Sequence, residues 1–136
     1  MIRPPHRPTD DQSSYESATN WAVRVCVALV FAVTGLEKFP AGPGYWVSVF
    51  DSIGLGQWYR YFTGIVEVVG GLLFLVPGVT AVGAALLAAA MIGAMVVHIV
   101  VFKQPANILF PGAYLVGVVL AFAKLRASRR RRTPHE

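Results

Sequence analysis

The stretch "GIVEVVGGLLFLVPG", residues 64–78, decides how the chain is read, because it sets a carboxylate, Glu67, inside a run suited to lipid. An ionised carboxylate at the centre of a bilayer helix costs about 2.5–3.5 kcal/mol even on a lenient insertion scale. Such a group persists by facing a helix neighbour and meeting a partner there. Gly64 and Gly71 on the same stripe offer the close backbone approach that such packing needs.

On both sides the sequence stays apolar. Of the 136 residues, 55% are hydrophobic and 14% charged, with a mean hydropathy of +0.56; a soluble domain carries about 25% charged residues. A helix crosses a bilayer with about 20 mainly apolar residues. Four blocks approach that length: 21–39, 60–77, 80–102 and 108–123. Glu67 interrupts the second, and Pro111 lies early in the fourth. The expectation is an all-α integral membrane four-helix bundle over residues 21–124.

The longest connection lies between the first two blocks. Pro40, Gly42, Pro43 and Gly44 break the first helix. Tyr45, Trp46, Val49, Phe50 and Ile53 then recur at helical spacing, opposite Ser48 and Asp51. This predicts a short interfacial helix in the outer loop. Trp58, Tyr59 and Tyr61 follow as an aromatic belt. Small residues at four-residue spacing, Ala81, Ala85, Ala89 and Gly93 on the third helix and Ala113, Gly117 and Ala121 on the fourth, read as ridges for helix packing.

Charge sets the orientation. The net charge is +5, and Lys124, Arg126, Arg129, Arg130, Arg131 and Arg132 follow the last apolar block directly. The positive-inside rule places this cluster in the cytoplasm, against anionic lipid headgroups, and accounts for it without a nucleic acid. Four spans then return the N-terminus to the cytoplasm, in agreement with Arg3 and Arg7. The chain is therefore expected in the cell (inner) membrane, multi-pass. Residues 1–20, rich in Pro, Ser and Asp, read as a disordered cytoplasmic tail, and 125–136 as a basic one. Acidic residues ahead of the first apolar block argue against a signal peptide.

Cys26 is the sole cysteine. A Cys-x-x-Cys oxidoreductase and a cysteine-bound metal cluster within one chain are both excluded. No metal site is expected; Cys26 reads as a small packing residue.

Helical phase brings the remaining charges together. At about 100° per residue, Arg24, Ala28, Phe31, Gly35 and Lys38 share one face of the first helix, and Arg60, Gly64, Glu67 and Gly71 one face of the second. Glu67 lies about 10 Å deeper than Arg60. His98 lies about 7–8 Å below Lys103 on the third helix. Lys38, Glu67, Arg60 and His98 thus form a candidate polar cluster or ligand site in the outer half of the bilayer. Glu67 pairs with Lys38 or with Arg60. Arg24, near Trp21 at the other end, can snorkel to a lipid phosphate. Such charges serve either a ligand or the register of the bundle, and both readings stand at this point.

The ordered set resembles a known family. "RVCVALVFAVTGLEKF" supplies Arg24, Gly35 and Lys38; "GIVEVVGGLLFLVPG" supplies Glu67, Gly70 and Gly71; "ALLAAAMIGAMVVHIVV" closes on His98. These look like the DoxX and DoxX-like family of small four-helix membrane proteins, over about residues 21–123. The resemblance implies a subunit or membrane anchor of a quinone-linked or other redox complex, and leaves open whether the chain is itself catalytic. Lys38, Glu67 and His98 would then hold a quinone, with no intrinsic cofactor, beside a soluble or membrane oxidoreductase in a homo- or hetero-oligomer. The alternative is a non-enzymatic scaffold, chaperone or small transport component whose buried charges are structural.

Overall fold

The computed structural model describes residues 10–132. In chain order the helices are α1 (Asp10–Leu36), α2 (Tyr45–Ile53), α3 (Gln57–Leu75), α4 (Thr80–Val100) and α5 (Leu109–Arg132), with a 3-10 turn at Pro105–Ile108 before α5. Among the described residues there is no strand. Segments Ser17–Leu36, Thr80–Val100 and Pro105–Arg130 are each long and apolar enough to cross a membrane. The 19-residue α3 falls outside that group; it carries Arg60 and Glu67.

Neighbour relations follow from a few contacts. α3 packs against both α1 and α4, α4 against α5, and α5 touches α1 again. Arg24, midway along α1, bonds to Phe74 at the end of α3, while Lys38, just past α1, bonds to Glu67 in α3. The two helices therefore run antiparallel. Asn20 and Ser128 meet at 3.4 Å and join the start of α1 to the end of α5. The core between these helices is Phe31, Phe74, Ala84, Leu87, Met91, Val118 and Leu125. Outward sides stay apolar, with Leu29 60% and Leu120 64% exposed. A water-soluble monomer rarely exposes such contiguous surface, and lipid is the solvent that suits it.

Glycines set the helix spacing. A Cβ on Gly35 would lie 2.8 Å from the Gly64 carbonyl oxygen, and one on Gly64 would lie 2.9 Å from that of Gly35. α1 and α3 thus cross backbone to backbone. Gly83 of α4 sits equally tightly on Gly70 and Phe74 of α3.

Three expectations need correction. Over residues 10–20 the anticipated disorder is replaced by the first turns of α1, and residues 1–9 lie outside the described part. The last helix, expected over 108–123, runs on through the basic residues to Arg132, because Ala, Lys and Arg are good helix formers continuing an existing helix. Finally, Ala81, Ala85 and Ala89 face outward, as do Ala113 and Gly117. The inward face of α4 is instead Thr80, Gly83, Ala84, Leu87 and Met91, selected by the backbone gap that Gly70 leaves on α3. Cys26 also points outward.

Candidate functional site

The faces of α1 and α3 that carry the charges are both buried. Arg24, Ala28, Phe31, Gly35 and Lys38 line one, and Arg60, Gly64, Glu67, Gly70 and Gly71 the other. The Gly35–Gly64 crossing matters chemically as well as sterically. It brings Lys38, three residues beyond Gly35, within reach of Glu67, three residues beyond Gly64. The Lys38 ammonium donates to Glu67 Oε2 and forms an ion pair there, with side chains only 6% and 7% exposed. It also donates to the Thr34 carbonyl at 3.0 Å. The Trp46 ring covers it, with Nζ 4.4 Å from the ring centroid.

Arg60 does not pair with Glu67. Its Nη1 donates to the carbonyls of Lys38 and of Pro40, the latter at 2.8 Å, and its Nη2 to Tyr61 Oη at 2.9 Å. The guanidinium lies 4.4 Å over the Tyr61 ring. Carbonyls past the end of a helix lack intrahelical donors; a buried Arg, 2% exposed, satisfies them here and complements the negative end of the α1 dipole. Its Nε donates to Gln57 Oε1. Gln57 Nε2 in turn donates to the Val47 carbonyl at 3.1 Å and to Asp51 Oδ1, which ties α2 to the start of α3.

His98 stands apart. Among the described residues no hydrogen bond joins it to Lys38, Glu67 or Arg60, and its Nδ1 is buried without a partner. Its ring tilts against Phe102 at 5.4 Å, and its backbone carbonyl accepts the Gln104 N–H at 3.0 Å. Arg24 belongs to the opposite end, where Nη1 donates to the Phe74 carbonyl at 2.8 Å and to Thr80 Oγ1 at 2.6 Å. Arg126, Arg129 and Arg130 lie exposed on the last turns of α5, and Arg131 and Arg132 end that helix.

Sequence reading misses the Thr34 carbonyl, Trp46 as a cover, Gln57 as a clip, and the Lys38 and Pro40 carbonyls and Tyr61 as acceptors for Arg60. Trp46 also belongs to the apolar stripe of α2. That the loop returns it over Lys38 depends on Gly54, whose φ of 78° ends α2, and on the bonds of Gln57.

A ring of outward apolar residues around a buried, internally paired charge network defines an α-helical membrane protein of small size. The DoxX-like family model matches residues 22–121, and the chain belongs to that family. Searches of curated proteins and of solved structures gave no match.

Proposed function

We propose that the chain is a non-catalytic membrane scaffold whose Lys38–Glu67–Arg60 network is architectural. One observation carries this reading: the network's polar groups are spent on one another. The Lys38 ammonium is taken up by Glu67, Thr34 and the Trp46 face. The Arg60 fork is taken up by Gln57, Tyr61 and two carbonyls. A ligand seeking a donor here must first break one of these bonds, and a buried pair broken at one partner is strongly destabilised.

In this reading α3 is the fourth span. Its charges face α1, so the helix is apolar toward lipid even though its sequence average is not. Both termini then lie on the cytoplasmic side of the cell membrane, held by the basic end of α5. α2 lies along the outer interface, with Tyr45 exposed on it and Leu55 and Trp58 exposed just after it.

A second reading, a subunit of a quinone-linked oxidoreductase, has one observation in its favour. The unpartnered Nδ1 of His98 is a hydrogen-bonding group without a protein partner among the described residues. On this reading His98, rather than Glu67, would meet a quinone carbonyl.

Mild-detergent purification from native membranes separates the two, with mass spectrometry of co-purifying proteins and extracted lipids. The scaffold reading expects protein partners retained equally by the wild type and by the neutral pair Lys38→Met/Glu67→Gln. Stoichiometric quinone that is lost in that pair would contradict it and return the site to Glu67; quinone lost only in His98→Ala would establish the second reading.

A further inference from the structure

At the end of the molecule that carries the start of α1 and the close of α5, a cavity of about 150 Å³ opens between Ser17, Asn20, Trp21, Arg24, Pro77, Leu125, Ser128 and Arg129. It is far from the Lys38–Glu67 pair, which lies at the other end of α1. We infer that this cavity is a binding site for a phosphate group, carried by the headgroup of an anionic phospholipid or as a free ion.

The lining has the chemistry for it. Arg24 is 6% exposed, yet its hydrogen bonds among the described residues run to two neutral oxygens, the Phe74 carbonyl and Thr80 Oγ1, both through Nη1. Thr80 Oγ1 donates onward to the Val76 carbonyl at 3.1 Å, so its own proton is committed. Among the residues whose side chains the structure describes, no carboxylate forms an ion pair with Arg24. A buried cation with neutral partners alone is costly unless an anion joins it. The second cation on the lining, Arg129, brings like charge to the same space, and an anion between the two removes that repulsion as well. Ser17, Ser128 and Asn20 add hydroxyl and amide groups, and Asn20 and Ser128 already meet across the α1–α5 seam.

Size and surroundings agree with this assignment. The volume corresponds to about five waters at ~30 Å³ each, which accommodates a phosphate with a small attached alcohol. Trp21, half-exposed on the lining, is the residue type that settles at a membrane–water boundary. Just beyond it along α1, Val25 and Leu29 are exposed and apolar. A headgroup in the cavity would therefore have acyl chains beside a lipid-facing surface. The site is distinct from general attraction to the basic helix end, because Arg126 is exposed on the same helix and does not line the cavity.

The test uses the purified full chain in a neutral detergent, with thermal unfolding and native mass spectrometry as readouts. The probes are short-chain phosphatidic acid, inorganic phosphate and short-chain phosphatidylcholine. Phosphatidic acid is expected to bind and raise Tm, with Arg129→Gln weakening it by about tenfold, the loss of one charge-assisted hydrogen bond. Arg126→Gln should leave it unchanged. Because Arg24 also ties α1 to α3, Arg24→Gln can fail to fold; Arg129 is exposed on the lining and carries the test alone. Phosphatidic acid binding far more tightly than inorganic phosphate identifies the lipid as the source, and equal binding identifies the free ion. Equal losses in Arg126→Gln and Arg129→Gln, or no loss in Arg129→Gln, would overturn the site.

Discussion

Lys38 and Arg60 show how differently two buried cations can be used. Lys38 presents a point charge to Glu67, whereas Arg60 spreads a planar fork over the open carbonyls after α1. The two are not interchangeable in such a setting. Arg60→Lys should keep the charge yet lose the second carbonyl and the Tyr61 bond, lowering stability by about 1–3 kcal/mol. Thermal unfolding in detergent reads the loss, and faster amide exchange at Phe39 and Ala41 would locate it. Unaltered exchange there would remove the capping role. Trp46→Ala uncovers the Lys38 ammonium and should cost about 0.5–2 kcal/mol. Glu67 was legible as a buried, paired carboxylate because depth and phase both follow from residue spacing. Its choice of Lys38 over Arg60 was not, since that choice depends on carbonyls exposed where α1 stops, and spacing says nothing of where Arg60 finds better acceptors.

At the scale of the elements, glycine positions carry the packing. Gly83→Ala would drive a Cβ onto the Phe74 backbone nitrogen and within 2.6 Å of the Gly70 oxygen. Neither atom can move without shifting α3. The predicted result is loss of folded protein, or a large drop in Tm. Gly93→Ala and Gly117→Ala meet nothing within 4 Å, and should be neutral or stabilise by about 0.5–1 kcal/mol through helix propensity. Equal behaviour of all three variants would refute the close α3–α4 contact. The inward faces of α1 and α3 could be read from sequence, because charges and glycines mark them together. The face of α4 could not. Its alanines recur on several stripes, and Ala81, Ala85 and Ala89 form as regular a ridge as the buried set. What selects Gly83, Ala84, Leu87 and Met91 is the shape of α3, a tertiary property. The helical tails were hidden for another reason: polar composition reports the absence of an apolar face, and a helix that is already nucleated extends without one.

Over the whole molecule the charges are sorted by end. Lys38, Glu67 and Arg60 close one end under α2, while Arg24 and the basic turns of α5 mark the other. With positive-inside insertion, α2 faces the exterior and α5 ends in the cytoplasm. In a Cys26→Ser background, an impermeant maleimide should label Ser52→Cys in intact cells and Arg126→Cys only after permeabilisation. The reverse pattern would invert the molecule and move the phosphate cavity to the outer face. The Lys38–Glu67–Arg60 network ties α1 to α3 at one end, and the basic turns of α5 lie at the other.

The closed character of the outer network is tested most directly by a thermodynamic cycle on its central pair. Unfolding of the wild type, Lys38→Met, Glu67→Gln and the double variant would be measured in one detergent. Lys38→Met leaves an uncompensated buried carboxylate and should cost about 3–5 kcal/mol, with a smaller loss for Glu67→Gln. The double variant should recover most of the larger loss, because two neutral groups replace two charges. Losses that simply add would contradict a direct architectural pair.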